Sequence, residues 1–195
     1  MRALRCEDTG SLEGPALRQI PDPVAGPGQV AVGDRVHGMA FVGAFAELAA
    51  VNEAQLSKPP DDLPDEYACL ARVAYRTVYD ALVTTAGLRP GEDLVIPSAS
   101  GAVGSGAVAI GEALGARVIG CASSPAKLEF CRKTGADEAV SYSEPRFKET
   151  LKELAGGGAD VVLDMVGGEY SEPALCATGY GGILELLPEG PRPWR

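Results

Sequence analysis

Apolar and polar positions change rhythm twice along the chain, and each rhythm predicts a different kind of element. The first part is β-like and punctuated. Met1 to Cys6 and Ala16 to Ile20 read as strands, PDPVAGPGQ as a Pro/Gly connection, and Val30 to Val32 as another strand running straight into GDRV. Val36 and the stretch Phe41 to Val51, with Gly38 and Gly43, read as further short strands in which small residues permit close turns. From Pro64 the spacing becomes helical, with Tyr67, Leu70, Ala71, Ala74, Val78, Ala81 and Leu82 recurring at intervals that share a face. One or two helices are predicted there, ending near Gly87.

Beyond Pro90 and Gly91 the chain alternates regularly. Leu94 to Ile96 is a short, wholly apolar run of the kind buried in a parallel sheet. Val103, Ala107, Ile110 and Leu114 form one helix face, and Gly115 sits where a left-handed cap belongs. The form repeats with strand Val118 to Ala122, then a helix with Ser124 as N-cap, Pro125 at its first position, Leu128 and Cys131 inward, and Gly135 as its stop. Strand Ala139 to Ser141 precedes a helix bearing Phe147, Leu151 and Leu154; strand Val161 to Asp164 precedes a helix around Glu169 to Thr178; strand Ile183 to Leu187 closes the series. Strands alternating with helices of this length require parallel pairing with right-handed crossovers, so the predicted class is α/β with a doubly wound sheet of five strands.

Composition narrows the function classes. Among 195 residues, 27 Asp and Glu oppose 17 Lys and Arg, giving a net charge of −10 that argues against a nucleic-acid partner. Gly and Pro make up about a fifth of the chain, below the range of low-complexity disorder, so a folded, soluble protein is expected. The five cysteines contain no CxxC pair and leave one over after any pairing, which fits a reducing compartment, the cytoplasm. The single histidine, His37, reads as a surface or strand residue and leaves no His-rich metal site. The start, MRALRCEDTG, has charges where a signal peptide needs an apolar core. The uncharged run Leu94 to Gly111 is broken by Pro97 and by glycines spaced for another purpose, so no membrane span is expected.

That other purpose is chemical. Between the first strand of the alternating region and its helix stands Ser98-Ala99-Ser100-Gly101-Ala102-Val103-Gly104, an AxGxxG pattern. In a Rossmann-type unit Gly101 lets the backbone approach a pyrophosphate and Gly104 lets the helix pack on the strand. The free N–H groups at the helix start then face the anion. Small residues also serve tight helix–sheet packing, and the following strand at the right interval is what favours the cofactor reading. At the end of that second strand an NAD-preferring site places an acidic residue, whereas this chain has Ala122, Ser123 and Ser124, with Lys127 one turn on. The combination suits a 2′-phosphate and predicts NADP(H); the alternative leaves Ser124 as a helix cap and Lys127 as a solvated charge.

The ordered strings GDRVHGMAFVGAFAELAAV, VAYRTVYDAL, LRPGEDLVI, SASGAVG, EALGARVIG, TGADEAVSY and DVVLDMVGG resemble the zinc-free quinone oxidoreductase, or zeta-crystallin-like, branch of the medium-chain dehydrogenases and reductases. The resemblance implies a shortened GroES-like β domain with linking helices over residues 1–88, a Rossmann domain over 89–187 and an unmatched tail over 188–195. It implies cofactor contacts from Thr77 near the nicotinamide and from Ala102, Val103 and Gly104 at the pyrophosphate. Ser123, Lys127 and Tyr142 would lie at the adenosine phosphate end, and Val166, Gly167 and Gly168 after the fourth strand. For Tyr142 a core-edge aromatic is the alternative, and for Gly167-Gly168 a turn. Zinc-dependent relatives carry Cys and His ligands that are not recognisable here. The implied chemistry is hydride delivery from NADPH to a small quinone or enone, with no catalytic side chain identified.

The sequence also departs from that family. Val32 runs directly into Gly33, where the family has a long segment shaping the substrate site, and PEGPRPWR matches nothing in its sixth strand. Arg72 and Arg76 stand where relatives commonly show Pro and an aliphatic residue. A fifth strand left at an open edge invites a homo- or hetero-oligomer. A dinucleotide-binding chain with impaired catalysis, associating through that edge, is the alternative function.

Overall fold

A computed structural model of the chain describes residues 1–6, 15–24, 26–30, 35–40, 44–142 and 144–187. The junction of Val32 with Gly33, the glycine at 43 and the whole 188–195 tail lie outside the described residues. Two compact units divide the chain, Met1–Arg72 and Val73–Arg195.

The first unit holds β1 (Arg2–Cys6), β2 (Pro15–Gln19), β3 (Gln29–Val30), β4 (His37–Gly38), β5 (Val51–Asn52), β6 (Leu56–Ser57) and the one-turn helix α1 (Asp65–Ala68). They form three antiparallel ladders of two strands, β1 with β2, β3 with β5, and β4 with β6. Of the strand expected over Phe41 to Val51, the described part retains a single bridge, Ala46 opposite Ala3, and its terminal residue in β5. The reason is a shortage of cover. Among the described side chains of this unit, the buried apolar ones are Ala3, Pro59 and Ala68, while Phe45 is 79% exposed. An alternating strand is specified by a face to bury. Polar links hold what apolar contacts do not: Arg2 pairs with Glu47, and the Arg35 guanidinium reaches Asp65 at 2.8 Å and the carbonyls of Pro60 and Leu63.

The helical stretch runs on through π-wound Ala71–Tyr75, α2 (Arg76–Tyr79) and π-wound Asp80–Thr85, of which the residues from Val73 on belong to the second unit. Val78, Ala81 and Leu82 bury their side chains in one core with Leu94, Ile96 and Val118 of the sheet. This places the compact boundary after Arg72, ahead of the expected boundary at residue 88: the linking helices pack as part of the second unit.

The sheet alternates β7 (Asp93–Ile96), α3 (Ala102–Ala113), β8 (Arg117–Ala122), α4 (Pro125–Thr134), β9 (Glu138–Ser141), α5 (Phe147–Leu154), β10 (Ala159–Asp164), α6 (Ser171–Ala177) and β11 (Thr178–Leu186). All five strands are parallel, in the order β11-β10-β7-β8-β9. Counted from β7 and read from the β9 edge this is 3-2-1-4-5, the order of a dinucleotide-binding sheet, with its reversal between β7 and β10. Leu94, Ile96, Val118 and Leu163 face a core shared with α3 and α4. Val95, Ile119, Val140 and Val162 face another shared with Leu151 of α5 and Ala174 and Ala177 of α6. Burial on both faces is why these strands read as continuous apolar runs.

The predicted caps are in place. Ser124 precedes α4 with Pro125 first, and Gly115 and Gly135 stop their helices at φ of +76° and +116°. β11 begins at Thr178, directly after α6, and not at Ile183. Ala159 aligns with Thr178 and Val161 with Ile183, so the intervening glycine-rich residues form an irregular excursion that hides the strand from a hydrophobic pattern. Among the described residues β11 is an edge, and its Tyr180 is fully exposed.

Candidate cofactor site

At the N-terminal rim of the sheet, side chains occupy the main-chain amides: Asp160 accepts from Asp93 N at 2.9 Å and Asp137 from Val118 N at 2.7 Å. The opposite rim is built differently. After β7 the chain turns through Ser98, whose φ of +57° makes it the one non-glycine in the left-handed region among the described residues. Such a residue costs about 1–2 kcal/mol, which local bonds must offset. Ser98 O accepts from Gly101 N at 3.0 Å, Ala99 N donates to the Cys121 carbonyl of β8 at 2.9 Å, and Ser98 N donates to the Tyr142 hydroxyl.

Gly101 caps α3 without a side-chain bond, and the amides of Ser100, Ala102, Val103 and Gly104 donate to no other main-chain group of the described residues. These are the orphan donors of a helix start, at the mouth of a strand–helix junction. The two glycines have separate reasons. A Cβ on Gly104 would lie 2.2 Å from Ser98 O and 2.7 Å from Ala99 Cα, so helix and loop can pack this closely only without one. A Cβ on Gly101 would meet its nearest atom, Ser98 O, at 3.4 Å, an ordinary contact. The fold itself tolerates a side chain at 101; a ligand drawn onto the amides would not.

Ser123 follows β8 on the surface, and Lys127 Nζ donates to its hydroxyl at 3.3 Å, so the expected pair is assembled. Ser124 instead faces its own helix, its Oγ accepting from Lys127 N at 3.5 Å. Tyr142, at the end of β9, is wedged between the rings of Phe147 and Tyr170, with centroids 5.3 and 4.7 Å away. Burial pushes its phenol well above the usual range, which keeps it protonated. Its hydroxyl turns inward to Ser98, so the structure brings it to the phosphate loop.

Beyond β10 the organiser is a residue that sequence reasoning missed. Asp164 is 1% exposed; its Oδ1 accepts from Val166 N at 2.9 Å and Gly167 N at 3.0 Å, and its Oδ2 accepts from Ser171 Oγ at 2.7 Å. Val166 and Gly167 therefore spend their amides inside the protein, and Gly168 is exposed at φ +63°. The available signal was an Asp closing an apolar strand two residues before a Val-Gly-Gly turn. Thr77 lies on α2, half-buried, and lines a cavity of about 500 Å³ with Arg76, Asp80, Glu185 and Leu187. Leu187 N donates to Asp164 O at 2.9 Å, so this cavity opens at the same rim of the sheet as the phosphate loop.

Among the described residues no three His, Cys, Asp or Glu side chains gather to hold a metal. His37 lies half-buried on β4, with its Nδ1 buried and without a hydrogen-bond partner among them. No helix among the described residues is long and apolar enough to cross a membrane.

Known proteins are similar to this chain in sequence and fold. Residues 102–186 match a family model described as zinc-binding dehydrogenase. Quinone oxidoreductase-like protein 2 of Bos taurus is 34% identical over 157 residues, 80% of this chain and 45% of that protein. Erythronolide synthase EryA2 of Saccharopolyspora erythraea is 41% identical over 157 residues, 79% of this chain and 4% of that protein. The quinone oxidoreductase of Thermus thermophilus, solved also in complex with NADPH, superposes with a TM-score of 0.74 at 30% identity, over 94% of this chain and 72% of that one. The chain belongs to the quinone oxidoreductase branch of the medium-chain dehydrogenase and reductase family. It spans less than half the length of the curated relatives it matches.

Proposed function

We propose that the chain binds NADPH along the C-terminal rim of its sheet and passes hydride to a quinone or an electron-poor enone. The observation that carries this reading is the main-chain cradle from Ser100 to Gly104, open at the amides, with a Gly101 that only an incoming ligand requires. The cofactor supplies the hydride. The helix start adds about 0.3–2 kcal/mol for an anion at its amides. Ser123 and Lys127 receive the 2′-phosphate. Thr77 and the cavity beside Leu187 hold the nicotinamide end. No side chain is assigned a proton transfer.

Purified chain mixed with NADPH and a panel of quinones and enones tests the reading: NADPH oxidation at an enzyme-like rate is expected, and cofactor-bound, folded protein without turnover would end it. Lys127→Ala is expected to weaken NADPH binding by about tenfold and leave NADH binding unchanged, the loss of one charge-assisted hydrogen bond. Fluorescence titration with both nucleotides checks this, and an equal loss for both would remove Lys127 from the 2′-phosphate site.

A second reading, a dinucleotide-binding chain without turnover that pairs through a sheet edge, is favoured by two observations. β11 is an edge carrying the exposed Tyr180 and Ile183, and the first unit buries little apolar surface among its described residues. It predicts NADPH binding without oxidation, and a sedimentation mass that rises with concentration.

A further inference from the structure

We propose that Arg76 is a catalytic residue of the reduction, its guanidinium binding the oxyanion that forms on the acceptor as hydride arrives. This rests on the reading of the site given above.

Arg76 is one of the two arginines at which the chain departs from the family it resembles. It is exposed on α2, directly before Thr77, and both residues line the cavity beside Leu187. Among the lining residues Arg76 is the one cation, and Asp80 and Glu185 are the anions. None of these three side chains forms an ion pair or a hydrogen bond among the described residues. Asp80 stands four positions after Arg76, a spacing at which opposite charges on a helix can meet. The winding changes between them, α through Tyr79 and π from Asp80, and the pair is not made. A guanidinium keeps its charge at every pH a protein meets. An unspent cation therefore stands next to Thr77, at the end of the site where the acceptor must lie.

The balance of charge in the cavity decides what that cation can serve. One guanidinium against two carboxylates leaves the lining net negative, so an acceptor with a permanent anionic group is opposed on entry. A neutral quinone or enone is not. Its oxygen becomes anionic only in the reaction: hydride from NADPH, a proton with an electron pair, bonds to a carbon of the conjugated system, and the pair it displaces moves to the carbonyl oxygen. NADPH is oxidised to NADP⁺, the acceptor is reduced to its enolate or hydroquinone anion, and a proton from water completes the product. The N–H groups of Arg76 meet the charge where it appears, through charge-assisted bonds about twice as strong as those of a neutral hydroxyl. The bond strengthens as the charge develops, so it raises kcat and leaves KM for a neutral acceptor little changed.

Arg76→Ala is expected to lower kcat for a neutral quinone about 100-fold, the low end for loss of an oxyanion donor, with KM and NADPH affinity unchanged. Added guanidinium ion, kept below denaturing concentration, is expected to restore about tenfold of that loss in Arg76→Ala and nothing in the native chain. Arg76→Lys, which keeps the charge, is expected to retain more kcat than Arg76→Ala. A second readout needs no turnover. 4-Nitrophenol enters as a neutral phenol and ionises to a yellow phenolate, the same change of charge that the acceptor oxygen undergoes. With NADP⁺ present, the native chain is expected to favour bound phenolate over bound phenol about tenfold more than Arg76→Ala does, read by absorbance titration. Equal phenolate preference in the two proteins, unchanged kcat in Arg76→Ala, or a loss that falls on NADPH affinity and KM with kcat intact would each overturn the role of Arg76 while the reductase reading stands. A native chain that binds NADPH and reduces no acceptor would end the reductase reading, and the catalytic role with it, whatever the phenolate preference.

Discussion

Gly101→Ala is expected to leave the melting temperature within about 2 °C of the native value and yet weaken NADPH binding at least tenfold, whereas Gly104→Ala is expected to damage both. The difference follows from what each Cβ meets. At 101 the nearest atom stands at 3.4 Å and φ is −79°, so the native fold accepts the methyl without strain. The methyl then occupies the approach to the amides, and a diphosphate is held off them. At 104 the new atom would fall 2.2 Å from one backbone oxygen and 2.7 Å from a backbone carbon. No side chain can rotate aside, so α3 must move off the loop, at about 1–3 kcal/mol, and the cradle moves with it. Calorimetry and NADPH titration on the two variants read this directly. Native-like NADPH affinity in Gly101→Ala would mean that nothing approaches the loop at that point.

Asp164→Ala is expected to cost about 3 kcal/mol of stability, because it leaves two amides and a hydroxyl without their buried acceptor. For a unit of this size that lowers the melting temperature by about 10 °C or more. Asp164→Asn keeps one acceptor oxygen for the amides of Val166 and Gly167 and should lose less than half as much. The pair distinguishes an organiser of the turn from a space-filling residue: equal losses in Ala and Asn would show that the hydrogen bonds to the amides matter little. Binding is expected to weaken with stability in Asp164→Ala, since the turn after β10 borders the cofactor rim.

The alternating half of the chain was legible because both determinants of its elements are local. Strands buried on two faces appear as runs such as Leu94 to Ile96, and helices announce their ends with Ser124, Pro125 and Gly135. β11 escaped in part because Gly179, Gly181 and Gly182 carry no hydrophobic signal, although Gly179 and Gly182 still lie against the backbone of Ala159. In the first unit, pattern predicted strands that found no cover, since pattern states what a strand can bury and not whether a partner face exists. The strand–turn–helix junction at residues 98–104 was legible, down to the close packing that Gly104 permits. The inward turn of Tyr142 was not, because its partner Ser98 lies 44 positions away; the bonds of Asp164 run to residues 2, 3 and 7 positions on and were missed although local.

The cradle is made of peptide groups, and this sets what mutation can report about it. Exchanging the side chains of Ala102 or Val103 leaves the amides in place, so side-chain substitution would score as neutral the positions proposed to grip the ligand. Natural variation is equally free to drift there, and conservation of residue identity becomes a poor guide to contact. Only substitutions that alter the peptide path, at 98 and 104, or that block the approach to it, at 101, would make such a grip visible.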